Sequence, residues 1–292
     1  MRPKWTCLLA VPAFLFFAAG TQSISRLHEK RQLPSDLEVG GNLVAGLPPE
    51  ATRYITRDEL LAMPQVSFTV SDDANFAGPT RIRGVRLEDL ARALGANSTS
   101  GMVIAICDDG YLAAYPRAYL EAHHPVLVLE VNGEPPAGWP KAADDHISDM
   151  GPYMISNPKF TPGFKILSHT DEAQIPWAVV RLEFRDEEKV FRAIAPRGPH
   201  AQEREVRDGM LVAEQNCLRC HNAGREGGKK SGRSWEFLGA LAASSPMEFA
   251  TYIRAPQTKN PQAQMPGNPD YDDATLNALT AYFQTFSQTT KP

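Results

Sequence analysis

The sequence predicts two domains of different class, an α+β domain followed by an all-α domain. Three observations predict it. Residues from about 54 to 190 contain short apolar segments with strand-like alternation, separated by Gly, Pro and Asn-Gly signals. Residues from 204 onward carry apolar positions at i, i+3 and i+7 spacing, the stripe of helices packed on a shared core. A length of 292 residues exceeds what one small helical domain needs, so a second unit occupies the remainder.

The N-terminus has the pattern of an export signal. Arg2 and Lys4 give a positive start, an apolar run follows over 7–19, and Ala18-Ala19-Gly20 offers small residues for cleavage. That run is shorter than the ~20 residues a bilayer span takes. The expectation is a signal over 1–20 cleaved near Gly20, no stable membrane span afterwards, and a periplasmic location; an uncleaved anchor is the alternative. Residues 21–49 are polar, broken at Pro34 and at Gly40-Gly41, and read as an extended leader, with ordered structure starting near Tyr54.

The first domain is expected over 50–192. Thr56-Arg57-Asp58-Glu59 is a capping-box pattern ahead of Leu60 and Leu61, and Pro64 stops that short helix. Val66, Phe68 and Val70 share one face of a strand. Ile82-Arg83-Gly84-Val85 turns into a helix whose stripe is Leu87, Leu90, Ala91 and Leu94, ended by Gly95. A buried strand over 102–107, an Asp109-Gly110 turn and a returning strand over 111–115 form a hairpin. Strands over 126–131, with Asn132-Gly133 as a further hairpin signal, and over 178–184 complete at least five strands and two short helices. His123-His124 and Asp144-Asp145-His146 with Asp149 have metal-ligand chemistry but fall in Pro- and Gly-bordered stretches, where a surface loop is expected.

A linker over 193–203 leads to a helical domain over 204–292. Val206, Met210 and Leu211 predict a helix over 205–216 running into Cys217-Leu218-Arg219-Cys220-His221. Two thiols on one helical turn, each able to add to a porphyrin vinyl group, followed by an imidazole for the iron, are what covalent haem attachment requires. A zinc site would need a second Cys or His pair, and no Cys or His follows His221. Of the two remaining methionines, Met265 lies in an irregular loop before Pro266-Gly267 and 44 residues after His221, and is the expected sixth ligand. Met247 opens a helix over 246–254, where a core role is expected. Trp235 and Tyr252 are candidate walls of the haem pocket, with an ordinary core role as the alternative. Asp272 is placed to cap the last helix, whose stripe is Leu276, Leu279, Phe283 and Phe286.

On these residues the C-terminal segment resembles a class I cytochrome c domain, and the resemblance carries Cys217, Cys220, His221 and Met265 over as the haem attachment sites and axial ligands. Many members of that family have Gly-Pro after the motif, the proline carbonyl accepting a hydrogen bond from the proximal imidazole. Here Gly232 is followed by Arg233, so the partner of His221 is open. The first domain is similar to the sulfite-oxidase-type molybdopterin-binding fold, with a mixed sheet and short helices. That resemblance rests on Thr56 to Gln65, on Gly84-Val85-Arg86-Leu87-Glu88-Asp89-Leu90, on Asp109-Gly110-Tyr111, and on Leu129-Glu130-Val131-Asn132-Gly133-Glu134-Pro135. Enzymes of that family hold molybdenum through a cysteine. Here the one candidate, Cys107, lies on the strand entering the Asp-Gly-Tyr turn rather than upstream of it, which disfavours molybdopterin.

Cysteine arithmetic agrees. Cys7 leaves with the signal and Cys217 and Cys220 go to haem, so Cys107 has no partner for a disulfide and is expected to be buried. Residues 21–196 hold 17 Lys and Arg against 24 Asp and Glu, a balance that argues against nucleic acid. Arg219, Arg225, Lys229, Lys230 and Arg233 concentrate positive charge after the motif, to steer an acidic partner, to dock on the acidic first domain, or as a solvated loop. The expectation is one covalent haem c that passes single electrons between a periplasmic dehydrogenase and another cytochrome or an oxidase. The first domain then serves for docking. The rivals are a molybdopterin-dependent sulfite-dehydrogenase-like enzyme and a haem-based sensor.

Overall fold

The computed structural model describes residues 27–287 except 72, 97–100, 142–148, 159–164, 167–168 and 171. The expected signal over 1–20 and the Asp144-Asp145-His146 cluster lie outside the described residues.

Strand β1 (Leu37–Gly40) comes first. It falls within the stretch read as an extended leader, and ordered structure begins before Tyr54: Leu37, Val39 and Val44 are buried, and His28 bridges to Tyr54. Three apolar residues spaced among polar neighbours did not stand out as a strand, but as a strand they supply one side of a core. β2 (Arg53–Ile55) pairs antiparallel with β1 and leads into α1 (Arg57–Ala62). The capping box forms in both directions: the Thr56 side chain accepts from the Glu59 amide, and the Thr56 amide donates to Glu59 Oε2 at 2.8 Å. β3 (Val66–Val70) is followed by β4 (Thr80–Arg86), so the residues expected to turn into a helix at 82–85 are the middle of a strand. Gly84 is required there, because a Cβ would lie 2.0 Å from the Leu127 carbonyl oxygen. Only then does α2 (Leu87–Ala93) begin, burying Leu87, Leu90 and Ala91.

β5 (Gly101–Cys107) and β6 (Leu112–Tyr115) form the expected hairpin, α3 (Arg117–His123) follows, and β7 (Val126–Val131) ends in the Asn132-Gly133 turn, both residues at positive φ. That turn returns only as far as Glu134, and β7 takes its next partner from β8 (Met154–Ser156). Two-residue strands β9 (Lys165–Ile166) and β10 (His169–Thr170) pair with each other. β11 (Val179–Asp186) and α4 (Glu187–Phe191) close the domain. One mixed sheet runs β2-β1-β11-β5-β6, with β1 and β11 parallel; an antiparallel sheet runs β3-β4-β7-β8.

The main core lies between these sheets. It takes Val103, Ala105 and Cys107 from one face of β5, Leu127 and Leu129 from β7, and Leu60, Leu90 and Leu120 from the helices. The opposite face of β5 sends Met102 and Ile104 into a second cluster with Leu112 and Val190. This explains why β5 reads as a continuous apolar run rather than an alternating one: both faces are covered. His123 is 2% exposed, which corrects its expected place in a surface loop. It ends the buried face of α3, its ring centroid 4.4 Å from that of Tyr119.

The second domain begins with α5 (Arg204–Asn216), followed by β12 (Asn222–Ala223) and β13 (Glu226–Gly227), then α6 (Trp235–Ser244), α7 (Pro246–Arg254), α8 (Pro256–Lys259) and α9 (Asp273–Gln284). Asp272 caps α9 as expected, accepting from the Thr275 amide at 2.8 Å. The stripe Leu276, Leu279, Phe283 and Phe286 is buried in one cluster with Val206, Val212 and Trp235. α5 crosses α9 at Gly209, where a Cβ would lie 2.0 Å from the Ala278 carbonyl oxygen. The expected linker is tied to this core: Ile194 is buried in it, and the Tyr282 hydroxyl donates to the Ile194 carbonyl at 2.6 Å. Among the described residues no helix is long and apolar enough to cross a membrane.

Candidate functional site

The motif continues the last turn of α5. The amides of Cys220 and His221 both donate to the Cys217 carbonyl, at 3.2 and 3.0 Å, so the chain stays coiled through the motif and gathers Cys217, Cys220 and His221 on one turn. Cys217 packs against the cluster of the second domain, Leu218 is buried in it, and Met265 packs against the same cluster. Cys217 and Met265, 48 positions apart in the chain (265 − 217), thus border one apolar core.

His221 is nearly buried, and its ring is oriented by a single bond. Nδ1–H donates to the Arg233 carbonyl oxygen at 2.7 Å, which assigns the proton to Nδ1 and leaves the Nε2 lone pair for a ligand. The partner that the missing Gly-Pro left open is therefore the carbonyl of Arg233 itself. Burial lowers the imidazole pKa, with the Arg233 carbonyl opposing and the Arg233 charge adding to it, so the ring is neutral at neutral pH. Burial pushes the Cys217 thiol up to about 12 and raises that of Cys220. The loop after the motif is folded tightly enough to exclude side chains at two positions. A Cβ at Gly228 would lie 1.9 Å from the Arg219 carbonyl oxygen, and one at Gly227, at φ +93, would lie 2.5 Å from the His221 carbonyl oxygen. Two thiols, a neutral oriented imidazole and a thioether around one apolar core form a donor set that fits haem c.

Trp235 is fully buried, but its indole donates to the Tyr282 hydroxyl at 3.0 Å and packs on Phe283 and Phe286. It fastens α6 to α9. Tyr252 is half-buried on α7. Met247, expected in the core, is 82% exposed. It occupies the second position of α7, whose buried face is carried by Phe249 and Ile253.

The haem-motif loop also touches the first domain. The Leu112 amide, on edge strand β6, donates to the Arg219 carbonyl at 2.8 Å, and the Lys229 amide donates to the Gly110 carbonyl at 2.8 Å. Lys230 pairs with Asp109 at 2.5 Å, and Arg185 with Glu226 at 2.7 Å. Of the roles open to the basic loop, docking on the chain's own acidic domain is the one these contacts realise. The sequence displayed both charge groups, while the pairing between them is a product of the fold. A cavity of about 170 Å³ lies beside this seam, lined by Cys107, Asp109, Tyr111, Trp177 and Lys230 among others. Cys107 is buried, as expected, and burial first, then Asp109 and Asp108, raise its pKa, so its thiol stays protonated. Among the described residues no three of His, Cys, Asp and Glu converge as a metal site.

A family model described as cytochrome c oxidase, cbb3-type, subunit III matches residues 204–283. No curated protein matches the chain. Among solved structures, the sulfane dehydrogenase SoxCD from Paracoccus pantotrophus is similar at a TM-score of 0.35 and 17% identity. The likeness covers 59% of this chain and 45% of that one, and a score so low carries no argument. The first domain is a mixed α/β unit with two main sheets. With its helices, its Cys-x-x-Cys-His turn and its oriented histidine, the segment 204–283 is similar to the cytochrome c domain that the family model describes, and such a domain implies haem c.

Proposed function

We propose that this chain is an exported, periplasmic monohaem electron-transfer protein in which Cys217 and Cys220 hold haem c covalently and His221 and Met265 supply the axial ligands. The observation that carries the reading is the 2.7 Å bond from His221 Nδ1 to the Arg233 carbonyl, which leaves Nε2 as a neutral donor on the turn bearing both thiols. When bound, the haem supplies a one-electron Fe(III)/Fe(II) couple. The chain's residues do the rest. The two cysteines prevent loss of the group, Arg233 holds the imidazole plane, and the apolar cluster around Leu218 and Leu279 excludes water. Met265 is a thioether, the ligand type that raises a reduction potential.

In this reading the first domain derives from the sulfite-oxidase-like fold and works by docking rather than by catalysis. The place of Cys107, at the end of β5 and entering the Asp-Gly-Tyr turn rather than upstream of it, supports that choice over a molybdenum site. The donor is a dehydrogenase, and the acceptor another cytochrome or a terminal oxidase. The test is to produce the full chain in cells supplied with haem maturation and molybdenum cofactor, then to measure haem by its alkaline pyridine spectrum and metals by mass spectrometry. One haem and no molybdenum per chain are expected. About one molybdenum per chain would establish the rival dehydrogenase, and absence of covalent haem would end the proposal.

A further inference from the structure

The segment from Leu218 to Arg233 contains little regular structure: a pair of two-residue strands, the amides of Gly228 and Ser231 donating to the Leu218 and Cys220 carbonyls at 2.8 and 2.9 Å, and the His221–Arg233 bond. A loop with so few bonds of its own takes part of its placement from contacts outside it. Here those contacts come from the β5–β6 turn of the first domain, on both sides of Cys220 and His221. Upstream, the Arg219 carbonyl is taken by the Leu112 amide, and the Arg219 Nη2 donates to the Ala173 carbonyl at 3.4 Å. β6 is the edge of its sheet, so that Leu112 amide would otherwise have no strand partner, and the haem motif supplies the missing acceptor. Downstream, the Gly110 carbonyl takes the Lys229 amide and Asp109 takes the Lys230 ammonium. Asp109 uses its two oxygens for two tasks: Oδ1 accepts from the Tyr111 amide at 2.8 Å and shapes the turn, while Oδ2 holds Lys230 at 2.5 Å. Gly110 has φ +82, and a Cβ there would lie 3.2 Å from the Lys229 carbonyl carbon and 3.3 Å from the Lys230 nitrogen. A side chain at 110 would be strained and would press on the haem loop.

We propose that the β5–β6 turn is the positioning element of the haem loop, with Asp109 and Gly110 as positioning residues that fix where Cys220 and His221 stand. The proposal rests on the reading of Cys217 to His221 as the haem attachment site. It gives the first domain a task inside the molecule: it completes the second domain's cofactor loop and keeps water from one side of it. The ion pair is partly exposed and contributes little alone, so the two main-chain bonds carry most of the grip.

The test uses full-length holoprotein carrying Gly110→Ala, Lys230→Met or Lys230→Arg. Gly110→Ala changes no charge, so any effect on potential arises from displacement of the loop. Gly110→Ala and Lys230→Met are expected to lower the midpoint potential, because a loosened loop admits water that favours the more charged oxidised state. Gly110→Ala is also expected to speed hydrogen exchange of the Leu112 and Lys229 amides by about tenfold or more, and Lys230→Met, which removes only the partly exposed pair, by about two- to threefold. Lys230→Arg, which keeps the pair, is expected to retain both values. Wild-type potential and wild-type exchange in Gly110→Ala and Lys230→Met, with haem attached, would overturn the proposal. If Gly110→Ala does not accumulate, hydrogen exchange in the two Lys230 variants decides, because loss of the Lys230 charge lowers the potential by itself. If the wild-type chain carries no haem, the haem-site reading fails, and exchange at Leu112 and Lys229 still tests the grip by itself.

Discussion

The most informative contacts at the scale of single residues are those of His221 and Met265, the two axial ligands of the proposed function. Replacing Met265 with alanine removes the thioether at the edge of the second-domain core. The expected result is a lower midpoint potential and a ferrous protein that binds carbon monoxide, read in the visible spectrum. An unchanged spectrum would place the sixth ligand elsewhere. Glu214 makes a prediction about pH. On α5 its carboxyl is raised from 4.5 to about 8, by burial first and by the charge of Glu187 second. A carboxyl raised on folding costs stability once it ionises: the penalty is absent below the ordinary value of 4.5 and complete above about 8. Glu214→Gln is therefore expected to raise the midpoint of thermal unfolding at about pH 9 and to leave it unchanged at about pH 4. An equal effect at both pH values would remove the carboxyl's ionisation as the cause. The clustering of Cys217, Cys220 and His221 on one turn was readable in advance, because their spacing alone places them there. The part of Arg233 was not readable, because its contribution to the site is a main-chain oxygen that any residue possesses.

The helices and strands show the same division. The capping box at Thr56, the cap at Asp272 and the stripe of α9 are local patterns and are found where the spacing predicts them. β1 and β4 were obscured, one as a polar leader and one as a turn, because their strand character comes from partners distant in the sequence: β1 pairs with β11, and β4 with β7. The α5–α9 crossing allows a test in which two effects have opposite signs. Gly to Ala inside a helix ordinarily stabilises by about 1 kcal/mol. At Gly209 the added Cβ would lie 2.0 Å from the Ala278 carbonyl oxygen and 2.7 Å from the Tyr282 Cβ, a contact that forces the helices apart. Overpacking of this kind costs about 1–3 kcal/mol, so Gly209→Ala is expected to destabilise by about 1 kcal/mol net, measured by denaturant titration. A gain in stability would mean that the two helices can part without loss.

Across the whole molecule the two domains act as one body at the seam. Arg185 on β11 binds Glu183 at 3.0 Å and Glu226 of the haem loop at 2.7 Å, with all three side chains no more than 25% exposed. With the two main-chain bonds at Gly110 and Leu112, this couples their unfolding. Thermal unfolding of the holoprotein followed by far-ultraviolet dichroism and by haem absorbance is expected to give coincident transitions. Arg185→Gln should separate them and lower the one followed by haem. Two separate transitions in the wild type would show that the seam is too weak to transmit stability. The sequence by itself determined the succession of a strand-rich and a helical region, the turn that carries the Cys-x-x-Cys-His motif and the helical stripe behind it, because spacing along the chain encodes each of these. Only the tertiary structure decided which carbonyl orients His221, which strands cover β5 on both faces, and which acidic turn receives the basic loop. Those pairings join atoms far apart in sequence, and what selects them is the burial of apolar faces in three dimensions.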